Sequence, residues 1–339
     1  MLFSQTRIKY KSYDLKALEF LSLPLAKKFF QKMISRRNIR VKVMQTLYTC
    51  STREGDITIQ EAVRTLDKHV DQSRQMFVFL IHIITEVARY AERDSLHRSS
   101  KHLPTQQDLE VNTKLAGNQL LWQILEHVSY KAVLKELKTE LLDQEEWVKK
   151  LYQELAATDL YKEYIAKPLR EKKEEKEILE FIFTDLMLPN DDFVSLLEEH
   201  FLHWDDDGEM MNLLMLNFLQ KPQSNDFQHF VSADKLKFAK DLLVSVIEKA
   251  DICNEYIKSK LQNWDPERTA VLDMILMRMG ICEFLFFETI PPKVTINEYI
   301  DLAKDYSTPQ SGHFVNGILD SIHKDLVAEN KLHKVSFKK

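Results

Sequence analysis

The sequence predicts an all-α protein. Its 339 residues include only six glycines and nine prolines, too few for the positive-φ turns that a β-rich chain needs. Charged residues make up 29% of the chain, and Glu, Lys, Leu and Ile dominate, as in long soluble helices. Apolar residues recur at three- and four-residue spacing rather than in alternation. The length allows one large or two medium domains with a sizeable core.

The elements follow in order. Leu15, Leu18, Leu21 and Leu25 have rough helical spacing, yet residues 1–32 are expected to stand outside the core fold. Residues 35–50 form a helix that Ser35 can cap by accepting from an orphan amide. Ile39, Val43 and Leu47 make its buried stripe. Gly55-Asp56 ends that unit. A second helix starts near Thr58 and continues from Phe77 to His97, until Leu103-Pro104 breaks it. Residues 105–231 hold helical patterns between breakers at Pro168, Pro189, Asp207-Gly208 and Pro222. From Ser232 onward Phe238, Leu242, Leu243, Val246 and Ile247 line one face. Asp265-Pro266-Glu267 is a helix start, and that helix runs to about Phe287. Ile290-Pro291-Pro292 breaks it. Thr295-x-x-Glu298 reads as a capping box for the next helix, which Ser307-Thr308-Pro309 ends. The last helix begins near Ser311 and carries Phe314, Val315, Ile318, Leu319 and Ile322.

Composition excludes several classes. Cys50, Cys253 and Cys282 lie far apart without zinc-like spacing, which suggests buried thiols in a reducing, cytoplasmic setting. No apolar run approaches ~18 residues, so no membrane span is expected, and Phe20–Phe30 lacks a signal-peptide cleavage site. In Asp205-Asp206-Asp207-Gly208-Glu209 the glycine and the twelfth position do not fit a calcium loop, so a solvated turn is expected. His200-x-x-His203 lacks a third ligand, and Met274, Met277 and Met279 read as core. No phosphate-cradling glycine loop and no nucleophile–base pair is recognisable. The reading is of a protein that is not an enzyme and takes no cofactor or metal.

Net charge is −5, which argues against wholesale nucleic-acid coating, but the charge is uneven. Residues 1–44 carry eleven Lys or Arg against Asp14 and Glu19 alone, which suggests one localised anion-binding face. Arg36, Arg37, Arg40 and Lys42 gather within two helical turns. The buried stripe uses other positions, so the cations are expected to be free for phosphate, which the planar arginine fork can hold bidentately. Tyr48 follows and could stack on a base. In Phe314-Val315-Asn316-Gly317, Phe314 could stack, with His313 beside it, and Asn316 could bond a base edge. A glycine within a helix needs a packing reason, so Gly317 is expected to admit a neighbouring helix. For each aromatic the alternative is ordinary packing.

Three stretches carry a family resemblance: W-D-P-E-R-T-A-V-L-D-M from Trp264, I-P-P-K-V-T-I-N-E-Y-I-D-L-A-K from Ile290, and H-F-V-N-G-I-L-D-S-I from His313. Together they resemble the C-terminal half of the NusB family of transcription antitermination factors. Ser35 to Tyr48 resembles that family's arginine-rich first helix. The resemblance implies two helical subdomains, at 33–104 and 232–330, separated by a large helical insertion at 105–231. Residues 1–32 then precede the core, as an artefact of start-codon assignment or a basic arm, and 331–339 form a basic tail. Met33 stands where such a protein would begin. The resemblance also implies binding of boxA-type single-stranded leader RNA of rRNA operons with a NusE-type small-subunit ribosomal protein, acting on elongating RNA polymerase. The site residues would be Arg36, Arg37, Arg40, Lys42, Tyr48, His313, Phe314 and Asn316. The chain departs from the family at Asn38, where many relatives are basic. It also departs at Pro309-Gln310-Ser311-Gly312-His313, which lacks an acidic residue and a lysine common in relatives. Two alternatives stand beside this reading. One is a protein–protein adaptor that has lost RNA binding. The other is a module related to rRNA methyltransferases, which is disfavoured because no Gly-rich cofactor domain follows residue 339.

Overall fold

A computed structural model describes residues 34–261 and 269–335. The expectations for residues 1–32, for Met33 and for the Asp265-Pro266-Glu267 helix start lie outside the described residues. Among the described residues 75% are helical and none is in a strand. In chain order the helices are α1 (Arg36–Thr52), α2 (Ile59–Ser99), α3 (Gln106–Leu109), α4 (Gln119–Leu125), α5 (Val128–Leu134) and α6 (Thr139–Leu142). They continue with α7 (Glu145–Ala157), α8 (Asp159–Ala166), α9 (Lys172–Phe181), α10 (Asp191–His200) and α11 (Trp204–Gln220). The last five are α12 (Ala233–Glu248), α13 (Ala250–Lys258), α14 (Val271–Phe286), α15 (Pro292–Tyr306) and α16 (Ser311–Ala328). A π-helical turn, Ile182–Met187, extends α9. No described helix is long and apolar enough to cross a membrane.

The chain divides into two compact units. One comprises residues 35–71 and 231–339; the other includes 72–230. Helix α2 contributes to both, since the division falls at Asp71 and Gln72. Its start carries a capping box: the Thr58 backbone N–H donates to Glu61 at 3.0 Å, and the Glu61 N–H donates to Thr58 Oγ1 at 3.2 Å. Before it, Gly55 turns the chain at φ +91°, a conformation that costs residues with a Cβ.

In the first unit α14 is the central element, packed on α1, α12, α13, α15 and α16. Its burial is nearly continuous, with Ile275, Leu276, Met277, Met279, Ile281, Cys282 and Phe284 all inside. A helix that is apolar all round belongs in the middle of a bundle. Gly280 is the close-approach glycine: a Cβ there would lie 2.9 Å from Leu319 Cδ2 and 3.3 Å from Tyr299 Cδ2, both fully buried side chains. Gly317 does not have the packing role expected of it, because it faces open space on α16. Two opposite outcomes follow. Gly317→Ala should stabilise by about 0.5–1 kcal/mol through helix propensity. Gly280→Ala should destabilise by about 1 kcal/mol net, because overpacking outweighs the same gain. Urea unfolding midpoints that moved in the same direction for both would refute the assignment.

Thr295 and Glu298 do not form a capping box. Helix α15 starts earlier, with Pro292 in its first turn after Pro291, where a missing amide is harmless. The Pro-Pro pair therefore opens this helix as well as separating it from α14.

In the second unit, Phe77 of α2 meets Phe218, Phe227 and Phe230 at centroid distances of 5.7–5.9 Å. The acidic run 205–209 is not a solvated turn. It opens α11, where carboxylates favour the positive end of the helix dipole, and Asp207 is buried, accepting from Ser73 Oγ at 2.7 Å. Within the same unit, Asn118 accepts from the Leu120 and Leu121 amides and caps α4.

Candidate nucleic-acid interface

The site begins at the start of α1. Ser35 accepts the Asn38 amide at 3.1 Å and fixes the helix N-terminus, as its sequence position predicts. Nine consecutive residues, Ile39 to Leu47, are then buried. The helix is therefore not the one-sided ribbon that the Ile39, Val43, Leu47 stripe suggested, and the four cations fare differently.

Arg36 is exposed, with its guanidinium 5.7 Å from the centroid of the Phe238 ring on α12. Lys235 lies one turn before Phe238. Burial, and then the charge of Arg36, depress its ammonium below the ordinary lysine range, so α1 and α12 bring two cations near each other. Arg37 is half-buried and donates to Asp305 at the end of α15, at 2.6 Å. An exposed pair of this kind contributes about 0–1 kcal/mol, little enough to be exchanged for a phosphate.

Arg40 and Lys42 are not free for phosphate. Arg40 is 2% exposed. Its Nε donates to Glu283 Oε1 at 2.7 Å and its Nη2 to Glu283 Oε2 at 3.1 Å, while Nη1 reaches Glu298 at 3.3 Å. Glu283 is fully buried on α14 and also accepts from Tyr299 Oη at 2.8 Å and Thr295 Oγ1 at 3.0 Å. Burial alone would lower the Arg40 pKa, but hydrogen bonding to Glu283 and the surrounding negative charge outweigh it and raise it above the ordinary value. Burial, and then the negative charge of Glu283, likewise push the Tyr299 hydroxyl well above its usual range. Arg40 is thus a bidentate buried ion in a satisfied polar network. Lys42 is 1% exposed and presents no ammonium to solvent. Both corrections have one cause: α1 is enclosed on all sides, so leaving the apolar stripe does not bring a side chain to water.

The start of α16 meets the same end of the bundle. A Cβ on Gly312 would lie 2.7 Å from Lys304 Cγ, so the Lys304 stem of α15 lies across the first turn of α16. Lys304 is one residue from Asp305, which holds Arg37. Beyond Gly312, His313 and Asn316 are exposed and Phe314 is half-buried. The structure thus ties Arg37, through Asp305, to the end of α15, whose Lys304 lies against the first turn of the helix that carries His313, Phe314 and Asn316, and it sets Lys235 near Arg36. Tyr48 is half-buried and not part of this group: it lies twelve residues from Arg36 on α1, about 18 Å along the axis at ~1.5 Å per residue. Sequence reasoning missed Lys235, which is marked only by standing three residues before Phe238. It also missed Lys304, which is marked only by the glycine beneath it. Among the described residues no group of three or more His, Cys, Asp or Glu is placed to hold a metal ion.

An N-terminal α1 bearing exposed arginine, beside a half-buried aromatic on a second helix start, can hold a phosphate and offer a ring to a neighbouring base. Comparison with known proteins covers the C-terminal part of the chain. Residues 202–324 match the NusB family. The match begins inside the segment expected to be an insertion, and it does not include α1. The transcription antitermination protein NusB of Salinibacter ruber is 42% identical over 115 residues, 34% of this chain and 65% of that protein. The NusB of Chloroherpeton thalassium is 42% identical over 93 residues, 27% and 44% of the two chains. That of Thermodesulfovibrio yellowstonii is 40% identical over 100 residues, 30% and 66%. In each case the match spans less than two thirds of the relative's own length. No solved structure matches the chain. The C-terminal bundle, which holds α14, α15 and the Phe314 helix start, is thus the part of the chain that is similar to the NusB family.

Proposed function

We propose that the protein is a transcription antitermination factor that binds single-stranded, boxA-type leader RNA of rRNA operons. In this reading it acts with a NusE-type small-subunit ribosomal protein on elongating RNA polymerase in the cytoplasm. The observation that carries the reading is that exposed Arg36 and exchangeable Arg37 open α1, and that Asp305, which holds Arg37, follows the Lys304 that lies against the first turn of the Phe314 helix, within the bundle that carries the family match. Arg36 and Arg37 supply phosphate contacts, Phe314 a stacking surface, and His313 and Asn316 polar contacts to base or sugar. Binding is the whole activity in this reading, without catalysis or a cofactor.

A second reading, a helical adaptor without RNA binding, is favoured by the burial of Arg40 and Lys42, which halves the basic cluster. Titration of boxA-like against scrambled RNA over a range of salt, with and without a NusE-type protein, separates the two. The Arg36→Ala/Arg37→Ala variant should keep its fold, because neither side chain is buried. It should bind RNA more weakly, and its log–log salt slope should fall by about 0.7 for each phosphate that the truncated side chains no longer neutralise. Unchanged affinity and slope would establish the adaptor reading.

A further inference from the structure

The three cysteines are not equivalent. Cys50 is half-buried on α1. Cys253 on α13 and Cys282 on α14 are fully buried, with sulfur atoms 3.6 Å apart. Helices α13 and α14 pack directly on each other. We propose that Cys253 and Cys282 are a redox modification site, which a hydroperoxide closes to a disulfide and a thiol reopens.

The geometry is that of two thiols in contact. Closure brings the sulfurs to about 2.0 Å, a change of about 1.6 Å that side-chain rotation and a small adjustment of two packed helices can supply. The two sulfurs have distinct roles. Cys253 donates to the Arg278 carbonyl at 3.9 Å, and the Arg278 guanidinium is held beside it by Asn254 at 2.9 Å. The hydrogen bond with Cys282 lowers the Cys253 thiol pKa, the Arg278 charge acts in the same direction, and the Cys282 thiol is raised. Cys253 is therefore the attacking thiolate. Its sulfur bonds one peroxide oxygen and the O–O bond breaks. The leaving hydroxide takes the proton that Cys253 gave up and departs as water, leaving a sulfenic acid. The Cys282 sulfur then attacks the Cys253 sulfur and expels hydroxide, which takes the Cys282 proton. Two thiols and one hydroperoxide thus become one disulfide and two waters when the oxidant is hydrogen peroxide. Both sulfurs are shielded, so the reaction is slow but specific, because neither can reach Cys50 while the helix pair is folded.

The experiment treats the full chain with hydrogen peroxide, natively and in urea, and then alkylates the remaining thiols under denaturing conditions. Proteolysis and mass spectrometry follow. The expected result is a linked Cys253–Cys282 peptide pair that forms natively without linkage to Cys50, disappears on treatment with dithiothreitol, and leaves Cys50 alkylated, whereas in urea linkages to Cys50 form beside it. It should be absent from Cys253→Ser and Cys282→Ser proteins. Recovery of both cysteines as alkylated thiols from the folded wild-type chain overturns the proposal. So does a native digest in which linkages to Cys50 are as abundant as in urea. The wild-type chain decides the matter even if a serine variant fails to fold.

Discussion

Arg40→Ala is expected to destabilise the protein by about 3–5 kcal/mol, the range for removing one partner of a buried ion pair. The variant leaves the Glu283 carboxylate fully buried, with two hydroxyl donors but without its bidentate counter-ion. It also leaves space where the guanidinium lies 5.6 Å and 5.9 Å from the Phe238 and Tyr299 centroids. Arg40→Lys should recover only part of the loss, because an ammonium cannot match both oxygens of Glu283. A paired Arg40→Met/Glu283→Leu change should be far milder than either single truncation, since it removes both charges together. Urea unfolding with an unchanged m-value gives the comparison. A loss below about 1 kcal/mol for Arg40→Ala would show that Glu283 does not depend on Arg40 for its counter-charge. The result also governs how RNA-binding variants are read: any set that includes Arg40 confounds folding with binding, and Arg36 with Arg37 is the informative pair.

What could be read from the sequence was what depends on near neighbours. Ser35 caps the residue three positions on, α2 starts beside Thr58, and the breakers at Gly55, Leu103-Pro104 and Ser307-Pro309 all bound helices. Each rests on contacts within about a turn, so spacing along the chain reveals it. What stayed hidden depends on distant partners. Arg40 and Glu283 are 243 positions apart, and no helical wheel of α1 shows that a carboxylate on α14 awaits an arginine. Thr295 and Glu298 have the spacing of a capping box, but the same two side chains serve Glu283 and Arg40 across the bundle. Among the aspartates of the acidic run, Asp207 is distinguished by Ser73, 134 positions away. The two glycines show the same limit. Both lie in helices, and only packing separates Gly280, pressed against Leu319, from Gly317, which faces open space. At the candidate interface the residue types were legible, whereas which cations reach water was decided by how completely α1 is enclosed.

Phe314→Ala is expected to weaken RNA binding by about 1–3 kcal/mol, the range for losing one base–aromatic stack, while changing stability by about 1 kcal/mol or less. Two features separate the effects. Phe314 sits in the first turn of α16 and is half-buried, whereas Val315, Ile318 and Leu319 on the same helix already face the core. Truncating a fully enclosed Phe would instead cost about 3–5 kcal/mol. The ring also lies on the helix whose first turn meets Lys304, one residue from the Asp305 that holds Arg37, and in the proposed reading a nucleotide whose phosphate engages α1 stacks on it. Phe314→Tyr should keep most of the affinity, because the stacking surface is retained, and Phe314→Leu should lose it, because apolar volume alone does not replace a π-face. Fluorescence titration with boxA-like RNA at fixed salt, beside thermal unfolding of the same preparations, reads both quantities. If Phe314→Ala and Phe314→Leu bind as the wild type while melting far below it, Phe314 belongs to the core of the bundle. The interface would then rest on the arginines alone.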